Sequence, residues 1–340
     1  MRRYHPRSIS LIPLAIITLW AGGSLAFGRQ MPPTSAIRAV QTVTFPEYGA
    51  YPGIAGYAPT PALYARAVGD KAFVMERLTY RSDSLDIYAY LYRPVAPPTG
   101  TKLPVVVFNR GSYVRKDFSP EVLMMGNGLA REGYLVVAPM LRGSGGASGH
   151  DEMGGADVHD LINLVDVVKE IPYADPSRLF LYGESRGGIM CLLAAKHNFP
   201  ARAIAVWGAL TDLGTFLAGS SSARRIAPII WPGFPANEAE IVESRSAMRW
   251  PEKINVPVLL MNGGSDRQVS PLHAIQLASA FEKLGKQYEL KIFYGEDHIS
   301  PRRALERDED VVDGSAASTS RAARHREETT LASSLCLQSS

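Results

Sequence analysis

Cysteine is almost absent from this chain of 340 residues, which contains only Cys191 and Cys336. Cys191 falls in an apolar stretch with helical spacing, so we expect a small buried hydrophobe there and not half of a disulfide. Cys336 lies in a polar tail, and neither cysteine has the spacing of a metal ligand. The sequence therefore predicts no disulfide framework, no metal centre and no need for an organic cofactor.

An excess of charge is also missing. The chain has 36 lysines and arginines against 33 aspartates and glutamates, which leaves a formal net charge of +3. No basic stripe interleaved with aromatic residues is present, and this argues against nucleic acid as a partner. The apolar run at residues 11–20 is short for a membrane span, which needs about 20 apolar residues.

The first 26 residues have the three parts of a secretory signal. Arg2, Arg3 and Arg7 precede the apolar run, and the small residues Ser24 and Ala26 follow it. We therefore predict a signal peptide over 1–26 and a periplasmic or secreted mature protein with no stable membrane association after cleavage. An uncleaved N-terminal membrane anchor is the alternative.

The remaining chain divides into three regions. Residues 27–71 are rich in proline, glycine, alanine and tyrosine and predict an extended N-terminal arm, with a short helix near 62–68. Residues 72–312 carry regular strand and helix patterns and predict one globular domain. Residues 313–340 are polar, so we expect a disordered tail, because this composition buries too little apolar surface to offset the entropy of ordering.

The patterns in 72–312 predict an α/β fold. Two alternating segments, 72–80 and 84–94, indicate an antiparallel pair of strands. Six apolar runs follow, separated by stretches with helical spacing, as in a parallel sheet built from right-handed crossovers. This is the layout of an α/β-hydrolase with a mostly parallel, eight-stranded sheet flanked by helices. Residues 208–252 are too long for a simple crossover and predict a small lid insertion.

The pentapeptide Gly183-Glu184-Ser185-Arg186-Gly187 matches G-x-S-x-G, the nucleophile elbow. In that motif a serine occupies a strained turn between a strand and a helix, with its hydroxyl exposed. Such a short pattern arises easily by chance. Its position directly after the apolar run RLFLY, and before a helical stretch, gives it weight.

A serine nucleophile needs a base, and the base needs an acid that orients it. In this fold the order along the chain is Ser, then Asp or Glu, then His. Ser185, Asp266 and His298 follow that order, each after a predicted strand. The carboxyl ends of parallel strands meet at one edge of a sheet, so we expect the three side chains to converge. Asp297 is the rival for the acid, but its adjacency to His298 points the two side chains apart.

An oxyanion hole requires two N–H donors. The backbone of the residue after the nucleophile, Arg186, supplies one. The loop after the third strand supplies the other, and there we predict Gly111 or its neighbour Ser112, with Asn109 as a further side-chain donor.

Other polar and aromatic residues have plainer explanations. Asp157 and Asp160 are expected to cap a helix or to pair with arginines. The tryptophans are expected to pack in the core or lid, with Trp231 in the pocket wall as the alternative. Four histidines are expected to be solvated or on helix surfaces: His150, His159, His197 and His273. Three lid glutamates are expected to form a solvated helix face: Glu238, Glu240 and Glu243.

Four segments together resemble the catalytic domain of prolyl-oligopeptidase-type serine hydrolases: FNRGSY, the long stretch from APMLRGSGG to GESRGG, INVPVLLMNGGSDRQVSP and YGEDH. That family includes dipeptidyl and acylaminoacyl peptidases. The resemblance implies an α/β-hydrolase fold and the triad Ser185, Asp266 and His298. Members usually carry an N-terminal β-propeller. Here about 45 residues separate the predicted signal from the domain, so we expect none.

These observations predict an exported serine hydrolase that cleaves an ester or amide through an acyl-enzyme. Its expected partner is a small ester or a short peptide. The alternatives are a serine peptidase acting on short peptides and a catalytically silent, hydrolase-like binding protein. The sequence leaves the oligomeric state open.

Overall fold

The computed structural model describes residues 29–30, 34–48, 59–112 and 120–298. The predicted signal peptide, the polar tail and Cys336 lie outside these ranges. Ten strands form one sheet. Their bounds are β1 (Arg29–Gln30), β2 (Ile37–Thr42), β3 (Phe73–Ser82), β4 (Leu85–Pro94), β5 (Leu103–Asn109), β6 (Leu135–Pro139), β7 (Ala174–Glu184), β8 (Ala201–Trp207), β9 (Val258–Gly263) and β10 (Tyr288–Phe293). In space they follow the order β1-β2-β3-β4-β6-β5-β7-β8-β9-β10.

The strands from β5 to β10 are parallel and form the centre of the sheet and one of its edges. β5 shows why: Val105, Val106 and Val107 are fully buried, although successive side chains point to opposite faces. A run of β-branched residues buried on both faces is typical of a parallel strand covered by helices on each side.

The eight predicted strands are all present as β3 to β10, but the sheet is wider than predicted. β2, within the predicted arm, pairs antiparallel with β3, and β1 pairs with β2. Glu170 holds the start of β2, because its carboxylate accepts hydrogen bonds from the backbone N–H groups of Ala36 and Ile37 at 2.6 and 3.1 Å. Ile37 is buried in the core, so this part of the arm belongs to the sheet.

Nine helices accompany the sheet within the described ranges: α1 (Pro61–Gly69), α2 (Pro120–Arg131), α3 (Val158–Ile162), α4 (Leu164–Glu170), α5 (Arg186–Lys196), α6 (Leu213–Gly219), α7 (Ser221–Ile230), α8 (Glu238–Arg245) and α9 (Leu272–Lys283). The helix predicted near residues 62–68 is α1. The sheet separates two apolar clusters. One contains side chains of α1 and α2, and the other contains side chains of α3 to α9. None of these helices combines the length and apolar character that crossing a membrane requires.

The predicted lid insertion, 208–252, is helical. It contains α6, α7 and α8 and two short 3-10 turns, Ala247–Arg249 and Pro251–Lys253, between β8 and β9. Trp231 and Trp250 anchor the segment, because both are buried in the core and both indole N–H groups donate to backbone carbonyls, those of Glu152 and Glu243. The insertion is thus packed firmly on the domain beside the carboxyl ends of the strands.

Candidate active site

Ser185 occupies the sharp turn between β7 and α5. Its backbone has φ 52° and ψ −115°, a conformation that residues other than glycine rarely adopt. The flanking glycines make this turn possible. A Cβ on Gly183 would lie 2.3 Å from the carbonyl oxygen of Gly187, and a Cβ on Gly187 would lie 1.8 Å from that of Asn109. The glycines at this spacing therefore let α5 begin directly against β5 and β7.

A continuous hydrogen-bonded chain links three of the predicted residues. The imidazole of His298 lies with Nε2 2.8 Å from Ser185 Oγ and Nδ1 2.7 Å from Asp266 Oδ2. A proton on Nδ1 that is donated to Asp266 leaves Nε2 free to accept the hydroxyl proton of Ser185. Asp266 and His298 are buried, whereas Ser185 is only partly so. The predicted convergence of these side chains is therefore observed.

Asp266 and His298 are each held in place by further hydrogen bonds. Asp266 Oδ1 accepts hydrogen bonds from the backbone N–H groups of Gln268 and Val269, each at 2.8 Å. The indole N–H of Trp207 donates to the carbonyl of His298 at 2.8 Å, and this indole stacks on Phe293 at the end of β10. The rival acid is engaged elsewhere, because Asp297 accepts the backbone N–H of His298.

The residues predicted as oxyanion donors, Arg186 and Gly111, lie at the ends of two elements that contact each other. Arg186 is the first residue of α5, and Gly111 follows β5, the strand that the elbow contacts through Gly187. Gly111 is buried and Ser112 is exposed. The additional donor was predicted wrongly. The side-chain amide of Asn109 is buried and donates to the carbonyl of Val107 and to Cys191 Sγ.

Cys191 is a free, buried thiol, as predicted. Burial raises its pKa, and the amide of Asn109 is its hydrogen-bond partner.

The side chain of Arg186 is part of a buried ionic cluster. Its guanidinium lies 2.5 Å from Asp151 and 2.9 Å from Asp157, and all three side chains are at most 2% exposed. Asp157 also accepts the backbone N–H groups of Gly154 and Gly155. Burial raises the pKa of Asp151, against the opposing effect of Arg186. The cluster ties the first turn of α5 to the segment before α3.

The aspartates predicted to pair with arginines do so. Asp157 pairs with Arg186, and Asp160 pairs with Arg142 through bonds from Nη2, Nε and the backbone N–H. Asp151 was not predicted as a partner of Arg186 from the sequence. The signal in the sequence that could have indicated this ion pair is the acidic stretch HDEMGGAD together with the arginine of the elbow.

Glu184, directly before the nucleophile, is a second buried acid that the sequence analysis did not single out. It is 7% exposed, and the hydroxyl of Tyr182 donates to it at 3.0 Å. Burial, followed by the charge of Glu121, raises the pKa of Glu184 to about 8. Its carboxyl is therefore largely protonated at neutral pH.

An open cleft of about 630 Å³ lies beside Ser185 and His298. Its wall comes mainly from α6 and α7 of the insertion and from the loop after β9, and Trp231 is part of it.

Three histidines are exposed as predicted: His150, His159 and His197. His273 was predicted wrongly. It is 4% exposed and lines the cleft, because α9 packs its first turn against residues 211–212.

Within the described ranges, no group of three or more His, Cys, Asp or Glu side chains is arranged to hold a metal ion. What the site contains is a serine hydroxyl, a base and an acid in hydrogen-bond contact beside an open cleft. This arrangement is suited to nucleophilic attack by Ser185 on a carbonyl group.

Comparison with known proteins agrees with this chemistry. The model of the prolyl oligopeptidase family matches residues 118–313, more than half of the chain. The uncharacterized peptidase YtmA of Bacillus subtilis is 29% identical over 173 residues, which is 51% of this chain and 67% of that protein. The human acylamino-acid-releasing enzyme is 29% identical over 202 residues, which is 54% of this chain and only 27% of that enzyme.

A solved structure supports the fold. The acylaminoacyl peptidase of Pyrococcus horikoshii superimposes with a TM-score of 0.59 at 20% identity, over 76% of this chain and 44% of that one. At that identity the likeness concerns the fold alone. The chain spans less than half of this structure, so it corresponds to one part of the longer peptidase.

Proposed function

Because the chain belongs to the prolyl oligopeptidase family of serine hydrolases, we propose that it cleaves ester or amide bonds through an acyl-enzyme on Ser185. The observation that carries this proposal is the unbroken contact from Ser185 Oγ through His298 to Asp266, with distances of 2.8 and 2.7 Å. A serine at a strained elbow with a base already in contact is prepared for attack.

In the first half of the reaction, Ser185 Oγ attacks the carbonyl carbon while His298 Nε2 takes the hydroxyl proton. Asp266 holds the imidazole by its Nδ1–H and stabilises the imidazolium. The backbone N–H groups of Arg186 and Gly111 stabilise the oxyanion, and a donor in that role is typically worth about 3–4 kcal/mol. The intermediate collapses when His298 gives the proton to the departing alcohol or amine.

In the second half, water replaces the leaving group. His298 takes a proton from the water as its oxygen attacks the acyl carbon, and then returns that proton to Ser185 Oγ. The acid product leaves and the resting site is restored. Besides the ester or amide substrate, the reaction cycle consumes only water.

A serine peptidase acting on short peptides is the second candidate, favoured by the similarity to a bacterial peptidase and to the human acylamino-acid-releasing enzyme. The same three residues serve both candidates, since an acyl-enzyme forms from an ester or an amide alike. The substrate is then chosen by the cleft.

We further propose that the protein is exported. The support is the basic, apolar and small-residue order of positions 1–26, which lie outside the described residues.

Labelling with a fluorophosphonate probe tests the role of Ser185 and the silent-binding alternative together. We expect the wild-type protein to be labelled and Ser185→Ala to be unlabelled, with a loss on the order of 10⁶ in kcat on a short-chain ester. Ser222→Ala removes another hydroxyl of the same cleft and should keep the label. A wild-type protein that resists the probe, or a Ser185→Ala variant with a tenth of the normal activity, would refute the assignment.

A further inference from the structure

The cleft beside Ser185 is lined by positive but not by negative side chains. Arg225 of α7 and Arg267, which follows Asp266, are both part of its wall. Among the described residues that line the cleft there is no aspartate or glutamate. The described part of the wall therefore carries positive charge without an acidic side chain among its lining residues.

Within the described ranges, neither guanidinium has an acidic partner outside the wall. Arg225 and Arg267 are exposed and have no hydrogen-bonded or ionic partner in the part of the chain that the structure describes. The neighbouring Arg224 differs, because it pairs with Glu238 at 2.8 Å and does not line the cleft. The same helix thus carries one arginine that is paired at the surface and one that is open to the cleft.

His273 adds a directed donor to this wall. Its Nδ1 lies 3.4 and 3.3 Å from the backbone nitrogens of Thr211 and Asp212, whose N–H groups donate to it. Burial lowers the pKa of His273, so the ring is neutral at pH 7 with its proton on Nε2. No acceptor for this Nε2–H is found among the described residues, although the side chain is 4% exposed.

The rest of the wall is largely apolar. Phe216, Ile226, Ile230 and Trp231 line it together with the polar donors. Such surroundings lower the local dielectric constant and strengthen the attraction between a guanidinium and an anion. Arginine also matches the geometry of a carboxylate, because its planar fork donates two parallel hydrogen bonds.

We propose that this cleft selects substrates that carry a carboxylate on an otherwise apolar group, with Arg225 and Arg267 pairing with the carboxylate and His273 donating a hydrogen bond to it. The inference rests on the proposed hydrolase function and names its substrate class. The carboxylate belongs either to the acyl part or to the leaving group, and both placements use the same recognition chemistry.

The test compares substrates that differ only in charge. For the acyl side, the p-nitrophenyl monoester of adipic acid is compared with its carboxamide counterpart, after subtraction of spontaneous hydrolysis. For the leaving-group side, the butyrate ester of 3-hydroxybenzoate is compared with that of 3-hydroxybenzamide. We expect kcat/KM to favour the carboxylate by about ten-fold or more in at least one pair, as charge-assisted hydrogen bonds require.

The variants locate the effect. Arg225→Gln and Arg267→Gln should each lower the carboxylate-to-carboxamide ratio, and the double variant should bring it near one. Arg224→Gln is the matched control and should keep the wild-type ratio. The wild-type ratio should also fall as NaCl rises from 50 to 500 mM, because salt screens the attraction.

The outcomes separate the two proposals. Suppose that the carboxamide esters are hydrolysed in a Ser185-dependent way. If the carboxylate-to-carboxamide ratio of kcat/KM is then one or lower, or if a higher ratio persists in the double variant, the carboxylate inference is wrong and the hydrolase function stands. If no ester or amide of the panel is hydrolysed and Ser185 takes up no probe, both are overturned.

Discussion

Glu184 places a carboxyl group in an environment that disfavours its charge, one residue from the nucleophile. Its pKa of about 8 in the folded protein lies above the value near 4.3 of an unfolded chain. Between these two values the folded state holds a proton that the unfolded state has released. The stability from this group is therefore complete below about pH 4.3 and is lost as the pH rises toward 8.

We expect Glu184→Gln to become more stable relative to the wild type as the pH rises. The gain in the free energy of unfolding should approach about 1.4 kcal/mol for each pH unit within that window, because glutamine has no proton to lose. Denaturant unfolding at pH 5, 6.5 and 8 measures it. Glu132→Gln, at an exposed position, is the control and should show no such trend. A constant difference between Glu184→Gln and the wild type would mean that Glu184 is not a buried neutral acid.

At the scale of elements, the start of α5 depends on a buried ionic cluster. The guanidinium of Arg186 pairs with both Asp151 and Asp157. Removing one member of a buried ion pair leaves the other charge uncompensated, which typically costs about 3–5 kcal/mol. The pair between Arg224 and Glu238 is exposed, and such pairs contribute little.

Arg186→Gln should therefore lower the free energy of unfolding by about 3 kcal/mol or more. Arg224→Gln removes the same charge from the surface and should leave stability nearly unchanged. Denaturant unfolding of both variants decides the matter. Equal stability of the two variants would show that the cluster does not hold α5 in place.

The contact between α5 and β5 is equally demanding. A methyl group at position 187 would lie 1.8 Å from the carbonyl oxygen of Asn109, so the backbone of one element has to move. We expect Gly187→Ala to lose at least about 2 kcal/mol of stability and to lose activity with it. Gly69→Ala in α1, where no atom lies within 4 Å of the added methyl group, should stay within about 0.5 kcal/mol of the wild type. A stable and active Gly187→Ala variant would contradict the close approach.

At the scale of the whole molecule, the helical insertion supplies most of the described wall of the cleft beside Ser185. The glutamates of α8 do not line the cleft, and Glu238 is paired with Arg224, so none of them is placed there to hold the amino terminus of a peptide. Esters also have better leaving groups than peptides.

We therefore expect measurable hydrolysis of short-chain acyl esters and weaker or no hydrolysis of unblocked dipeptidyl arylamides. A substrate panel measured as kcat/KM, with Ser185→Ala as the blank, tests this preference. Efficient release of dipeptides with little esterase activity would reverse it and would point to an amino-terminus anchor outside the described lining of the cleft.

The sequence alone was sufficient for the eight strands β3 to β10 and for the meeting of Ser185, His298 and Asp266. Apolar runs of strand length separated by helical spacing determine a parallel sheet, and its strand ends must share one edge. Side chains placed directly after those strands are therefore brought together whatever else the chain does. Their roles in catalysis stay predictions, and so do the oxyanion donors Arg186 and Gly111.

The tertiary structure decided what the local patterns could not contain. The burial of His273 and Glu184, the pairing of Arg186 with Asp151 and the addition of β2 to the sheet all depend on segments far apart in sequence. The charge of the cleft likewise arises only when α7 and the loop after β9 pack side by side. Periodicity reports which face of an element is apolar, whereas the depth of burial and the partner of a charge are set by what packs against that face.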